Sequence, residues 1–232
     1  MHKKKLAVLT GAGISAESGL ATFRDSGGLW EGFDVNEVAT PEAWELNPKK
    51  VLDFYNLRRT QALSAQPNRA HKGLVELEAY FDVQVITQNV DDLHEKAGSK
   101  NVSHLHGELR KARSELNENL IVDIGSSPIN IGDLAEDGAQ LRPHIVWFGE
   151  MVPMLEKAAV IIENADILVV IGSSLVVYPA AGLVHYAKPN IPKYIIDPST
   201  PELTSYNGWV HIKECGTKGV EQLIKKLKED YE

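Results

Sequence analysis

The densest group of polar side chains follows directly on an apolar run. Gln88, Asn89 and Asp91 come after residues 83–87, whose β-branched side chains predict a buried strand. Open α/β sheets bind ligands at the ends of such strands, where amide and carboxylate groups can hold a nucleotide. Asn89 and Asp91 could instead cap the following helix, because asparagine and aspartate are preferred N-cap residues. The three side chains together favour a ligand site.

Two histidines, His104 and His106, alternate with Leu105 in the next extended segment. Alternation along an extended chain predicts that both imidazoles lie on one face. An imidazole titrates near neutral pH and suits general-base catalysis, and the glycine at position 107 permits close approach of a ligand. A metal site is less favoured, because no cysteine or carboxylate joins the pair at the usual ligand spacing.

A glycine-rich turn, residues 11–19, follows the strand predicted for residues 5–10. Its small residues permit a sharp turn into a helix and bring backbone N–H groups close to a pyrophosphate, and the helix N-terminus adds partial positive charge. The pattern alone is weak, because many tight turns use glycine for steric reasons. It predicts a nucleotide near this strand end.

Two further predicted strands also end in polar residues. Gly172, Ser173 and Ser174 follow the strand at 167–171, and Asp197 follows the strand at 194–196. Hydroxyl and carboxylate groups there could accept hydrogen bonds from ribose, or the segments could be plain turns. Because several polar turns all lie at strand ends, they indicate one extended nucleotide across the edge of the sheet.

Strands and helices alternate along most of the chain. The predicted strands are residues 7–10, 83–87, 145–148, 167–171, 194–196 and 210–212, and the predicted helices are 48–65, 69–80, 155–164 and 219–228. Such alternation predicts an α/β fold, with a Rossmann-like parallel sheet and helices on both faces. We assign residues 1–26, 69–106 and 143–232 to this domain. Residues 27–68 and 107–142 break the rhythm, so we expect two insertions that form a smaller lobe.

Composition restricts the class of protein. The chain has 232 residues, a formal net charge of −8 and one cysteine. The acidic balance argues against a general nucleic-acid or anionic-membrane binder, and no apolar run is long enough to span a membrane. A single cysteine excludes a disulfide framework. We expect a cytoplasmic enzyme without nucleic-acid or membrane partners, and a monomer is favoured.

Hydride transfer by an ordinary dehydrogenase is disfavoured by residues 21–34. The usual dinucleotide fold has a second strand after the first helix, and an acidic residue at its end binds the ribose. Residues 21–34 read as a loop, and the acids at positions 25, 31 and 34 end no strand.

The motifs resemble those of the sirtuins, a family of NAD-dependent protein-lysine deacylases. The resembling segments run in order from about residue 6 to residue 220 and include 11–19, 22–24, 87–91, 104–107, 146–150 and 172–174. The combination is highly specific, although each motif alone is not.

The resemblance implies a catalytic scheme. NAD would lie with its pyrophosphate on the 11–15 turn, and the acyl oxygen of a modified lysine would displace nicotinamide from the ribose. His106 would act as general base, Asn89 would be the second catalytic residue, and the products would be nicotinamide, free lysine and O-acyl-ADP-ribose. The implied NAD contacts are Gly11, Ala12, Gly13, Ile14, Ser15, Phe23, Arg24, Gln88, Asn89, Asp91, Gly172, Ser173, Ser174, Asp197 and Thr217.

The predicted helix 48–65 carries a basic residue on an apolar stripe. Val51, Tyr55, Arg58 and Ala62 fall on one face at helical spacing. Without other information, Arg58 would extend to solvent along its aliphatic stem. The resemblance implies another role, because Ala39, Tyr55 and Arg58 are similar to the pocket of desuccinylase-type sirtuins. There a small residue makes room, and the tyrosine and arginine bind a terminal carboxylate.

The segment 146–150 resembles the strand that pairs with the substrate peptide. The implied substrate contacts there are Val146, Phe148, Gly149 and Glu150, although a plain core strand is also compatible with these residues. The proposed partners are therefore proteins that carry acylated lysines. ADP-ribosyl transfer to protein and non-enzymatic NAD sensing remain as alternatives.

The chain departs from most sirtuins in residues 107–142, which contain no cysteine and no histidine. Most members bind a structural zinc ion there through four cysteines. We expect this lobe to be metal-free, with an apolar core made of Leu109, Leu116, Leu120, Ile121, Val122, Ile124, Ile129 and Ile131. A second departure is Asp197, where many relatives carry asparagine. A carboxylate still accepts hydrogen bonds from ribose hydroxyls.

Overall fold

A computed structural model describes residues 3–21, 29–30, 33–203 and 207–231. In chain order, the elements are β1 (Lys5–Thr10), α1 (Gly13–Ala16), β2 (Leu29–Trp30), β3 (Phe33–Asp34), α2 (Val35–Val38), α3 (Pro41–Leu46), α4 (Pro48–Ser64), α5 (Arg69–Leu77), β4 (Asp82–Thr87), α6 (Leu93–Ala97), β5 (Val102–His104), β6 (Gly107–Ser114), β7 (Ile121–Asp123), β8 (Leu141–Ile145), α7 (Leu155–Glu163), β9 (Ile167–Ile171), a 3-10 helix (Ala180–Tyr186), β10 (Lys193–Ile196), β11 (Trp209–Ile212) and α8 (Gly216–Tyr231).

The main sheet has six parallel strands in the order β11-β10-β9-β1-β4-β5. From β1 the chain proceeds to β4 and β5 on one side, and later to β9, β10 and β11 on the other. The strand order therefore reverses between β1 and β9. A crevice opens at such a reversal, beyond the carboxyl ends of the strands, and ligands bind there.

Helices cover both faces of this sheet. On one face, α5 and α8 bury Leu74, Leu77, Val220, Leu223 and Leu227 against alternate residues of the strands. On the other face, α7 and the 3-10 helix pack against the remaining alternate residues. Strands buried on both sides need near-continuous apolar sequence, which β9 provides with five buried residues. The predicted Rossmann-like α/β fold is confirmed.

A smaller lobe combines α2, α3 and α4 with an antiparallel sheet in the order β7-β6-β8. Its two apolar clusters join α4 to this sheet through Leu52, Phe54, Leu109 and Ile129. Asn56 of α4 adds polar links to the segment around Ile129. Its Nδ2 donates to the Ile129 carbonyl oxygen at 2.9 Å, and its Oδ1 accepts from the Ile129 N–H at 2.9 Å.

The core predicted for residues 107–142 is only partly right. Leu109 and Ile129 are buried, and Leu120 and Ile124 are half-buried. Leu116, Ile121, Val122 and Ile131 are exposed, with 82% of the Leu116 surface open to solvent. Ile121 and Val122 are exposed because they lie on β7, an edge strand of the small sheet with all three residues exposed.

A predicted strand at 145–148 is also wrong. The strand is β8, which crosses the predicted domain boundary at residue 143 and ends at Ile145. It pairs antiparallel with β6 in the small sheet and is no part of the large one. Residues 146–150 form an irregular loop with a turn, so the peptide-pairing strand expected there is absent from this segment of the described chain.

The expectation that Asp34 ends no strand is wrong, because Asp34 is the last residue of β3. β2 and β3 form a two-residue antiparallel pair outside the large parallel sheet. The Asp34 carboxylate accepts from the Asn36 N–H and caps α2. In the described ranges, no helix has the length and apolar character needed to cross a membrane.

Candidate active site

A cavity of about 600 Å³ opens at the reversal of strand order, between the large sheet and the small lobe. It brings together most of the residues singled out in the sequence. Those that line it are Gly11, Ala12, Gly13, Ser15, Ala39, Tyr55, Arg58, Gln88, Asn89, Asp91, His106, Val146, Phe148, Gly149, Glu150, Gly172, Ser173, Ser174 and Asp197. Phe23 and Arg24 lie outside the described residues.

Two predicted NAD contacts do not line the cavity. Ile14 is fully buried and packs in the core beneath the sheet, so its side chain supports the turn from behind. Thr217 at the start of α8 binds Glu17, with its N–H donating to Oε2 at 2.9 Å and its hydroxyl donating to Oε1 at 2.7 Å. Its neighbours Cys215 and Gly216 line the cavity instead.

The glycine-rich turn packs closely against the loop that follows β9. A Cβ atom on Gly13 would lie 2.7 Å from the Cα of Gly172, and Gly172 has a left-handed φ of +61°. The Gly11 and Gly13 N–H groups donate to the carbonyl oxygens of Ile171 and Gly172. These two amides are therefore engaged by the neighbouring loop, contrary to the expectation that the turn aims them at a pyrophosphate.

The helix after this turn has only four residues, so the partial charge expected from a long helix is small. The turn contributes shape above all, since its small residues let two strand ends approach each other closely. Side chains supply the polar groups.

Ser15, Asn89 and Asp91 form a buried polar group at the floor of the cavity. The Ser15 hydroxyl donates to Asp91 Oδ2 at 3.1 Å, and Asn89 Nδ2 donates to the Gly11 carbonyl oxygen at 3.2 Å. Asp91 Oδ1 accepts from the N–H of Leu93, the first residue of α6, although the N-cap of that helix is Asp92. Burial raises the pKa of Asp91, whereas the Leu93 and Ser15 hydrogen bonds lower it.

His106 is held at the edge of the same cavity by a backbone carbonyl. Its Nδ1 lies 3.1 Å from the carbonyl oxygen of Gln88, which can only accept, so Nδ1 carries the proton. Burial lowers the pKa of His106 below its ordinary value. The imidazole is therefore neutral at pH 7, and Nε2 is the nitrogen able to accept a proton.

His104 has a different environment. Its Nδ1 donates to the carbonyl oxygen of Asn89 at 3.0 Å, and its Nε2 donates to Glu95 Oε1 at 2.9 Å. Burial lowers the pKa of His104, but the Glu95 carboxylate offsets this effect and the net pKa is raised. The expectation that both histidines share one face is wrong, because the extended conformation ends at His104 and only His106 lines the cavity.

Gln88 and Asp197 lie further along the cavity. Gln88 Nε2 donates to the Ser173 hydroxyl at 3.0 Å and so joins the ends of β4 and β9. Asp197 is buried after β10, and its Oδ1 accepts from the N–H and the hydroxyl of Ser199. Both residues line the cavity beside Ser174.

The small lobe contributes Ala39, Tyr55 and Arg58 to the opposite wall. Arg58 is only 6% exposed, so it does not extend to solvent as its long stem would allow. Its Nη1 donates to Gln61 Oε1 at 3.3 Å. Burial raises the pKa of Tyr55, which keeps the phenol neutral at physiological pH. A guanidinium and a neutral hydroxyl donor therefore share one apolar recess.

The loop 146–150 closes this recess and is fixed by the half-buried carboxylate of Glu150. Glu150 Oε2 accepts from the Trp147 N–H at 2.7 Å, and Glu150 Oε1 accepts from Arg142 Nη1 at 2.7 Å. Arg113 Nη2 also donates to this carboxylate. Glu150 thus lines the cavity while both of its oxygens hold protein groups in place.

Several lining residues were missed in the sequence. Trp147 was seen only as part of a motif, and the segment Val176, Val177, Tyr178 and Pro179 after β9 was not considered. The sequence signal for this segment is an apolar run directly after the polar residues that follow β9. Such a run usually predicts a core helix. The tertiary fold turns it across the mouth of the crevice.

The fold and site together define an α/β nucleotide-binding protein whose ligand crevice lies between a parallel sheet and a small lobe. A sequence profile of the Sir2 family matches residues 11–179. A protein of Helicobacter pylori named NAD-dependent protein deacylase is 52% identical over 224 residues, which cover 97% of this chain and 95% of the relative. A Bacteroides thetaiotaomicron protein of the same name is 52% identical and is covered to 98%.

Solved structures agree with this grouping. A Sir2 homologue in complex with NAD superposes with a TM-score of 0.87 at 39% identity, covering 99% of this chain and 91% of that one. A Sir2 homologue in complex with ADP-ribose gives a TM-score of 0.89 at 39% identity, covering 98% and 93%. The chain belongs to the Sir2 family, as the motifs indicated.

Proposed function

We propose that this chain is an NAD-dependent protein-lysine deacylase that removes succinyl and malonyl groups in preference to acetyl groups. Membership of the Sir2 family and relatives named as deacylases at 52% identity support the general activity. The observation that carries the acyl preference is the presence of Ala39, Tyr55 and Arg58 in the same cavity as His106.

The residues of the cavity fit NAD. Its volume of about 600 Å³ is in the range of cofactor sites, and the absence of a Cβ on Gly13 and Gly172 keeps the two strand ends in close contact at its floor. When bound, NAD supplies the ribose that accepts the acyl group and the nicotinamide that leaves. With one water molecule consumed to release the amine, the products are nicotinamide, free lysine and O-acyl-ADP-ribose.

We assign the nicotinamide side to Gln88, Asn89 and Asp91 and the adenosine side to Gly172, Ser173, Ser174 and Asp197. Gln88 links the two sides, because its Nε2 donates to the Ser173 hydroxyl. Phe23 and Arg24 remain proposed NAD contacts, whereas Thr217 contributes indirectly by fixing the turn that contains Cys215.

His106 is the proposed general base. Its neutral imidazole takes a proton from a ribose hydroxyl at Nε2, and the bond from Nδ1–H to the Gln88 carbonyl oxygen stabilises the imidazolium that forms. Asn89 acts beside it, with its amide fixed against the glycine-rich turn by Gly11 and Ser15. Burial of these groups strengthens each interaction by excluding water.

Selectivity for a dicarboxylic acyl group follows from the charge of Arg58. A hydrogen bond between charged groups contributes about 1.5–3 kcal/mol, or roughly a ten- to hundredfold preference. Tyr55 adds a neutral donor, and the small side chain of Ala39 leaves space for the longer chain. Acetyl-lysine has no terminal carboxylate, so it gains nothing from this pair.

Substrate peptides are proposed to bind along Val146, Phe148 and Gly149 at the mouth of the cavity. The side chain of Phe148 is 44% exposed, and its N–H donates to the Ala39 carbonyl oxygen. Contacts with the irregular backbone of this loop would tolerate many peptide sequences. Glu150 supports the loop through its arginine partners.

The test compares acetyl-lysine and succinyl-lysine versions of one peptide, with and without NAD, by mass spectrometry. We expect NAD-dependent loss of both groups, faster for succinyl, with formation of succinyl-ADP-ribose. Loss of acetyl alone would contradict the carboxylate pocket. ADP-ribosylation of a target protein without deacylation, or no reaction of either peptide, would contradict the proposed activity.

Arg58→Met tests the pocket directly. We expect a ten- to hundredfold loss of desuccinylation, in line with about 1.5–3 kcal/mol for a charged hydrogen bond, and a much smaller change in deacetylation. Arg59→Met is the matched control, because Arg59 is a buried arginine of the same helix that bonds the Leu109 carbonyl oxygen. Equal losses for both substrates in Arg58→Met would refute the assignment.

A further inference from the structure

A buried hydrogen bond links the cavity loop to Tyr55. The indole Nε1–H of Trp147 donates to Tyr55 Oη at 3.1 Å, and both side chains are buried. Neither the proposed reaction at His106 nor the charge of Arg58 accounts for this contact. A buried tryptophan N–H without a hydrogen-bond partner costs free energy of folding. The bond to Tyr55 avoids this cost and constrains the orientation of both rings.

The direction of this bond determines how Tyr55 can act. An indole nitrogen is a donor only, so the Tyr55 oxygen must be the acceptor. The hydroxyl hydrogen of Tyr55 is then directed away from Trp147. Because burial raises the pKa of Tyr55, the phenol keeps this hydrogen and remains a donor. A carboxylate is acceptor-only and is the ligand that matches such a donor.

Trp147 is itself held by charged groups. The guanidinium carbon of Arg142 lies 3.3 Å from the centroid of the indole ring, and Arg142 is paired with Glu150 at 2.7 Å. Glu150 also accepts the backbone N–H of Trp147 at 2.7 Å. The Arg142 guanidinium therefore fixes the plane of the indole ring, and Glu150 fixes the backbone at Trp147. As a result, the indole N–H points to the Tyr55 oxygen in a fixed orientation.

We propose that Trp147 is a positioning residue for acyl-group selectivity, which orients the Tyr55 hydroxyl as a donor to the terminal carboxylate of a succinyl or malonyl chain. This role rests on the proposed carboxylate pocket. Trp147 acts through Tyr55, without charge of its own, and adds to the selectivity that Arg58 provides. Through Trp147, the loop 146–150 acts in the choice of acyl group as well as in binding the peptide.

The experiment measures kcat and KM for succinyl and acetyl peptides in Trp147→Phe. We expect the ratio of succinyl to acetyl kcat/KM to fall about three- to tenfold, the value of one neutral hydrogen bond, mainly through a higher KM for the succinyl peptide. Trp44→Phe is the matched control. Its ring also contacts Trp147, but its indole N–H donates to Glu115 Oε2 and not to Tyr55.

A double-mutant cycle with Tyr55→Phe tests whether Trp147 acts through the phenol. In that background, Trp147→Phe should leave the succinyl-to-acetyl ratio unchanged, since the hydroxyl is already gone. An additive fall in the ratio would overturn the inference. So would an equal loss for both peptides in the single variant, because that pattern indicates a structural role.

A shape-conserving replacement guards against misfolding. Benzothienylalanine at position 147 substitutes sulfur for the N–H while the bicyclic ring stays, and we expect the same fall in the ratio. A wild-type ratio with this residue would overturn the inference. If wild-type protein shows no succinyl preference, or Arg58→Met retains it, the carboxylate pocket fails and the role of Trp147 fails with it. If only the Trp147 variants retain the preference, the pocket stands and this inference alone fails.

Discussion

His104 and His106 have the same side chain and lie two positions apart, but their pKa values are shifted in opposite directions. His106 is buried with a backbone carbonyl as partner, which lowers its pKa, whereas His104 has the carboxylate of Glu95 and a raised pKa. A base must be neutral to accept a proton, and a cation is suited to hold the carbonyl oxygen of Asn89. The residue type suggested both roles, but only the partners decide between them.

The lowered pKa of His106 predicts the acid limb of the pH profile. We expect kcat/KM to fall on acidification, with an apparent pKa below that of a free imidazole, because the protonated imidazole cannot act as base. The measurement is deacylation of a peptide without titratable side chains. NAD affinity measured over the same range is the control, and an acid limb centred above pH 7 would contradict the assignment.

At the scale of elements, α5 and α6 are joined by a second histidine pair behind the active site. The rings of His71 and His94 are fully buried with centroids 4.9 Å apart, and His94 Nε2 lies 3.1 Å from the hydroxyl of Thr10 at the end of β1. Within the described chain, His71 Nε2 and His94 Nδ1 have no hydrogen-bond partner. The pair is compatible with the fold only in its neutral form.

This pair makes stability depend on pH. Burial lowers the pKa of His71 to about 4, so between about pH 6.5 and 4 the unfolded state binds more protons than the folded state. Stability is therefore lost as the pH falls, and His71 contributes about 2 kcal/mol of this loss between pH 7 and 5. We expect His71→Gln to show a smaller decrease in the free energy of unfolding over that range, measured by urea denaturation. Equal decreases in the wild-type protein and the variant would show that His71 does not contribute to the pH dependence of stability.

Most helices followed from local pattern. The predicted helices 48–65, 69–80 and 155–164 correspond to α4, α5 and α7 with ends shifted by a few residues, because periodicity defines a face but not the last turn. The edge strand β7 and the strand β8 were not predicted correctly. Their partners lie far along the chain, and short runs acquire their pairing only in the assembled sheet.

For the molecule as a whole, residues of the two lobes line opposite walls of one cavity. The large sheet supplies Asn89, Asp91 and His106, and the small lobe supplies Tyr55 and Arg58. Neither lobe forms the site alone. Changes in the small lobe are therefore expected to alter the choice of acyl group while the NAD chemistry stays.

The small lobe is expected to need no zinc. Residues 107–142 contain neither cysteine nor histidine, and the part of the chain that the structure describes has no cluster of three potential metal ligands. We expect metal analysis of the purified protein to find no stoichiometric zinc and chelators to leave deacylation unchanged. Stoichiometric zinc that is lost together with activity on chelation would contradict this view.

The sequence by itself determined the α/β class, the strand ends that bear polar groups and the identity of the family, because these depend on local periodicity and on residue types at fixed spacing. It also placed Tyr55 and Arg58 on one helix face. Only the tertiary structure decided that Arg58 is buried in the cavity, that His104 and His106 diverge, and that Trp147 holds Tyr55. Those outcomes depend on contacts between residues distant along the chain, and burial and hydrogen-bond partners arise only when the lobes pack together.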